Sequence, residues 1–157
     1  MKKTDAINQE DLVFNNMLGL LSKQSYTKKE IENKLRKKQI DEDIIERVVE
    51  KLCEYKYLDD ERFARNFVAL RIDQKSRREI EFKLIAKGVD RKIVYVVLEE
   101  LEKTDTAVQK TVEKYLRGKP KDEKTFQKLY AYLFGKGFES EEIARVIRIQ
   151  KQLIKED

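Results

Sequence analysis

The sequence predicts an all-α protein of three tandem three-helix modules forming an extended, curved helical-repeat body, and three observations carry that prediction. First, residues 27–52 and 76–101 repeat one another 49 positions apart, with 11 identities among 26 aligned positions, and self-similarity at a fixed period marks stacked supersecondary units. Second, 41% charged and 40% apolar residues with five Gly and one Pro suit amphipathic helices and do not suit a β-sandwich. Third, one helix-start signal heads both copies: Thr27 is followed by Glu30 and Ser76 by Glu79, each a capping box. No Gly/Ser/Pro-rich linker parts the copies, so a continuous body is expected rather than beads on a flexible string. The expected divisions are an N-terminal tail over 1–10 and modules over 11–58, 59–103 and 104–157.

In module one, Phe14, Leu18 and Leu21 fall on one stripe of a first helix. The second helix starts at Thr27 and buries Ile31 and Leu35, while Glu30 and Lys34 form a favourable i,i+4 pair on its surface. Asp41 is placed to cap the third helix, whose face is Ile44, Val48 and Leu52. Module two repeats the plan with Phe63, Phe67 and Leu70, then Ile80 and Leu84 with the Glu79/Lys83 pair, then Asp90 ahead of Ile93, Val97 and Leu101. Gly88 ends its second helix where Gln39 stands one period earlier and Gly137 one period later. Module three continues with Val112 and Leu116, then Phe126, Leu129 and Leu133, then Ile143, Val146 and Ile147 after one inserted residue. Pro120, between its first two helices, reads as a helix stop and turn within a basic loop. The third helix of module two differs from its counterpart: it reads Ile93-Val94-Tyr95-Val96-Val97-Leu98, and an apolar surface on more than one side predicts a central repeat covered on two sides.

The chain has no histidine and a single cysteine. Cys/His zinc sites, Ser-His-Asp triads, imidazole acid-base catalysis and intrachain disulfides are thereby excluded. Cys53 follows Leu52 on an amphipathic helix and reads as a partly buried hydrophobe, not a reactive thiol. Neither a nucleophile-base pair nor a phosphate-cradling glycine loop occurs, so no enzyme, cofactor or metal is expected. With no signal peptide and no apolar stretch of spanning length, a soluble cytoplasmic protein without membrane contact is expected.

The net charge of +5 is concentrated. Residues 71–92 hold eight basic and four acidic side chains, and residues 110–128 seven and three, so these stretches should attract an acidic partner. The candidate contacts are Arg71, Lys75, Arg77, Arg78, Lys83 and Lys87 in module two and Lys114, Arg117, Lys119, Lys121 and Lys124 in module three. Arg62 and Arg65 join them, on the side of their helix away from Phe63 and Phe67.

The junction of modules one and two reads Tyr55-Lys56-Tyr57-Leu58-Asp59-Asp60-Glu61-Arg62-Phe63-Ala64. Asp59 or Asp60 can cap the helix that starts there, and Tyr57 and Leu58 can fold back on Phe63. Together with Phe67, Arg71, Ser76, Arg77, Arg78, Glu79, Ile80, Leu84, Lys87 and Gly88, this stretch resembles the signature of the RecX family, bacterial regulators of the RecA recombinase. One departure is Lys56, where that family commonly has Gly before the aromatic. The resemblance implies a non-enzymatic regulator in DNA repair and the SOS response. It would bind the RecA filament on single-stranded DNA along its groove and inhibit the recombinase and coprotease activities. Direct contact with the DNA strand stays open, and a monomer is expected. The alternative is an independent helical DNA-binding protein of helix-turn-helix type. Against it, the candidate recognition helices carry Glu46, Glu50 and Glu54, or Glu99, Glu100 and Glu102, which repel phosphate.

Overall fold

The computed structural model describes residues 3–156, with side chains from Asn8 to Glu156. Every regular element among the described residues is a helix: α1 (Lys3–Lys23), α2 (Lys28–Lys37), α3 (Glu42–Glu54), α4 (Asp60–Arg71), α5 (Arg77–Ala86), α6 (Arg91–Glu99), α7 (Thr106–Leu116), α8 (Glu123–Gly135) and α9 (Ser140–Glu156). Helix α1 occupies positions 3–10, read from sequence as a tail, because a nucleated helix without Gly or Pro extends at little cost. The helices form two compact units, one of residues up to Asn66 with Leu84–Val94, the other of Phe67–Lys83 with Tyr95 onward.

In the first unit α1, α2 and α3 enclose a core of Val13, Met17, Ile31, Leu35, Ile45, Val48 and Leu52, each at most 6% exposed. Leu58 joins this core, and Tyr57 stands with Tyr55 against Phe14 at ring separations of 6.5 Å. The junction aromatics therefore close module one. Asp59 caps α4 through the Arg62 amide (3.0 Å), and Asp60 reaches across to accept from the Lys28 amide at the start of α2 (2.9 Å). Asp41 occupies the N-cap of α3 without a side-chain bond to it, against expectation; Glu42 and Asp43 supply the negative charge in that first turn. Cys53 is half-buried against the core, and burial pushes its thiol pKa up, as befits an inert hydrophobe.

In the second unit α7, α8 and α9 enclose Val108, Val112, Leu116, Phe126, Leu129, Leu133, Ile143 and Val146. Here the N-cap moves one turn upstream of its place in the other copies: Asp122 accepts from the Thr125 amide at 2.8 Å, and that bond, the largest cause, holds the carboxyl below its ordinary pKa.

One joint occurs twice. The buried Thr27 hydroxyl accepts from the Glu30 amide (3.1 Å) and donates to the Lys87 carbonyl (2.6 Å). One period later the buried Ser76 hydroxyl accepts from the Glu79 amide (3.1 Å) and donates to the Lys136 carbonyl (2.7 Å). A hydroxyl can cap a helix and donate outward at once, whereas an ionised Asp can only accept. Each target carbonyl precedes a glycine with φ of 95°, Gly88 or Gly137. A Cβ at Gly88 would lie 2.4 Å from the Lys29 Cβ, and one at Gly137 2.8 Å from the Ser76 Oγ. Gln39 adopts the same left-handed turn (φ 60°) with its side chain exposed. Lys56 also has positive φ, 61°, so the turn that favours Gly is made with lysine.

Three apolar expectations are corrected. Helix α4 buries Ala64, Phe67 and Val68, a face rotated by roughly a quarter-turn from the Phe63/Leu70 line at about 100° per residue, and Leu70 is 76% exposed. On α6 Val94, Val97 and Leu98 are buried, but Tyr95 and Val96 fall on other sides and are 65% and 48% exposed, so the helix is covered on one face only. Leu101 lies past the last residue of α6, where the helical stripe no longer governs it, and is exposed.

Candidate nucleic-acid and partner interface

The basic candidates divide into side chains engaged within the fold and side chains presented to solvent. Arg77 is the most engaged: its guanidinium donates to the carbonyls of Leu98 (2.5 Å), Leu101 (2.8 Å) and Glu102 (3.0 Å), closing the C-terminus of α6. Positive charge there also complements the helix dipole. Arg71 lies with its guanidinium carbon 3.6 Å from the Phe67 ring centre and donates to the Phe67 carbonyl. Arg62 donates to the Lys56 carbonyl at 2.9 Å, holding the left-handed turn, and Arg65 pairs with Glu61 at 2.8 Å. Lys83 pairs with Glu79 (3.5 Å) and Lys87 with Glu30 (3.6 Å). These last three pairs keep considerable exposure and add little to stability.

Arg78, Arg117, Lys121 and Lys124 are exposed. Arg117 ends α7, and Gly118 (φ 70°) turns the basic loop that Pro120 leads toward the Asp122 cap. In the second unit the fold draws Lys75, Lys114 and Lys119 together in a cleft of about 600 Å³. It adds residues the sequence reading did not single out, Lys110, Lys136, Tyr115 and Tyr132. The two tyrosine rings lie 4.9 Å apart, tilted by 36°. The Lys119 ammonium sits 3.7 Å from the Tyr115 ring centre and donates to the Tyr115 carbonyl (2.9 Å), and the Lys136 ammonium lies 5.5 Å from the Tyr132 ring. The only signal in the sequence was a shared spacing, each lysine four residues after its tyrosine on or beside a helix.

A second cleft of about 640 Å³ in the same unit is lined by Lys75, Arg77 and Arg78 with the exposed Tyr95 and Phe134. Its charge is mixed: Glu81, Glu99 and Glu102 share the wall, Arg145 is held by Asp105 (3.0 Å), and Lys103 by Glu139 (3.9 Å). No helix among the described residues is long and apolar enough to cross a membrane.

Three family descriptions match the chain: RecX, first three-helix domain, over residues 14–52; RecX, second three-helix domain, over 59–98; and RecX, third three-helix domain, over 103–147. The chain is 34% identical over 139 residues to the regulatory protein RecX of Caldanaerobacter subterraneus subsp. tengcongensis, covering 86% of this chain and 68% of that protein. It is 34% identical over 137 residues to the regulatory protein RecX of Oceanobacillus iheyensis, covering 83% of this chain and 50% of that one. Among solved structures, the crystal structure of RecX from Lactobacillus salivarius matches with a TM-score of 0.81 at 27% identity, over 93% of this chain and 99% of that chain.

Proposed function

Because the chain belongs to the RecX family of regulatory proteins, we propose that it regulates the RecA recombinase by binding its filament on single-stranded DNA and inhibiting recombinase and coprotease activities. The observation that carries this reading is the match of all three three-helix domains in order along the chain. Physical chemistry supports a binding mode without catalysis. Tandem modules offer repeated faces to a filament of repeated subunits, and linking modest contacts raises the effective concentration for each further one. On this reading the protein lies along the filament groove across neighbouring protomers, acts as a monomer and works in the cytoplasm. Arg78, Lys75, Lys114, Arg117, Lys121 and Lys124 are its outward contacts. Arg77, Arg71 and Arg62 serve them by fixing helix ends and turns.

The test is RecA's DNA-stimulated ATP hydrolysis and strand exchange with the purified protein added below one molecule per RecA. The reading expects both to be suppressed. No suppression even at excess protein would sink it.

A further inference from the structure

We propose that the cleft lined by Tyr115 and Tyr132 is a direct binding site for single-stranded nucleic acid, which grips the strand's phosphates with lysines and contacts its bases through the exposed Tyr132. The inference deepens the function proposed above and rests on it for the choice of DNA as the strand. Five lysines line the cleft: Lys75, Lys110, Lys114, Lys119 and Lys136. None of them pairs with a carboxylate among the described residues, and the carboxylate on the wall, Glu79, is held by Lys83 at 3.5 Å. Such a concentration of uncompensated ammonium groups calls for a polyanion.

The geometry narrows the polyanion to a single strand. Lys119 is held over the Tyr115 ring and tied to its carbonyl, so its charge is already positioned, and less side-chain freedom is lost when a phosphate binds. Tyr132 is 41% exposed and presents ring surface beside the lysines. Aromatic surface within a basic groove is what an unpaired base requires, since a base of any sequence can stack on a ring, and an acidic peptide has no equivalent use for it. At about 600 Å³ the cleft is of the size that encloses small organic ligands, enough for the backbone and bases of a short stretch of strand. A duplex keeps its bases stacked inside and offers the exposed Tyr132 ring nothing.

The experiment titrates the full chain, without RecA, against fluorescein-labelled oligothymidylate across a salt series. Binding is expected to weaken with salt at a logarithmic slope of about −3, the value for four or five phosphate contacts on a single strand. The pair Lys114→Glu and Lys119→Glu should weaken binding at least tenfold. The same charge change at exposed Lys37 and Lys38 of module one should weaken it less than threefold. Tyr132→Ala should weaken single-strand binding severalfold and leave duplex binding unchanged. Should the glutamate pair not fold by circular dichroism, Lys114→Gln with Lys119→Gln replaces it, with a shallower salt slope expected. Equal losses from both lysine pairs, equal affinity for duplex, displacement by polyglutamate as readily as by oligothymidylate, or an unchanged Tyr132→Ala variant would each overturn the proposal. RecA ATP hydrolysis measured on the same samples separates the two readings. Suppression without strand binding removes the cleft and leaves the function; strand binding without suppression does the reverse.

Discussion

The hydroxyls of Thr27 and Ser76 show how much structure one atom can carry. Each closes the start of a helix and donates to a carbonyl 60 positions away in the chain. Ser76→Ala is therefore expected to cost about 1–2 kcal/mol, losing a cap and leaving the Lys136 carbonyl without its donor. Ser76→Asp should be at least as destabilising although Asp is a strong N-cap residue, because a carboxylate cannot donate and faces a carbonyl oxygen; urea denaturation of the two variants checks the order. The glycines that receive these bonds make the same point. Gly88→Ala should cost about 1–3 kcal/mol through backbone strain and the collision with Lys29, whereas Gln39→Gly, at the same left-handed turn with an exposed side chain, should cost nothing or stabilise. Asp60 adds a pH signature. Burial, the largest cause, raises its carboxyl pKa, so the native state takes up a proton there more readily than the unfolded chain. The stability contributed by protonation is present at low pH and lost as the pH rises through the native pKa. The protein should accordingly gain on Asp60→Asn as the pH falls from 7 toward 4, measured by urea midpoints at the two ends.

Among elements, what sequence could reveal was set by distance along the chain. Periodicity and caps are local, so the repeat exposed the buried positions Ile31, Leu35, Ile80 and Leu84 and the N-caps at Thr27 and Ser76. The faces of α4 and α6 were harder, because Phe63, Phe67 and Leu70 form as good a stripe as Ala64, Phe67 and Val68, and only packing chooses between them. Tyr95 and Val96 looked like a second buried face because apolar residues usually are buried; they stand exposed instead. The candidate site was legible as two basic stretches and illegible as a cleft, since Lys75 meets Lys110 and Lys136 only through the fold. Arg77 was indistinguishable from Arg78 by charge, yet only Arg77 reaches the carbonyls at the end of α6, more than 20 positions on. Arg77→Ala should lower stability by about 1.5–3 kcal/mol, and Arg78→Ala should change it by less than about 0.5 kcal/mol, as thermal unfolding will show. Arg78 is thus the proper probe of partner binding, because its loss leaves the fold alone.

For the whole molecule, the family assignment rests on residues that build the scaffold, such as Leu58, Asp59, Ala64, Ser76 and Gly88. On the proposed function, binding falls to basic side chains that the scaffold presents to solvent, such as Arg78, Arg117, Lys121 and Lys124. If the protein acts by multivalent binding as proposed above, its activity should decline in steps as contacts are taken away. The most direct measurement is electron microscopy of RecA filaments assembled on single-stranded DNA and mixed with the protein, with Arg78→Glu as the control of contact chemistry. The account predicts added density along the filament with the native protein and reduced occupancy with the variant. Bare filaments at an excess of native protein would contradict it.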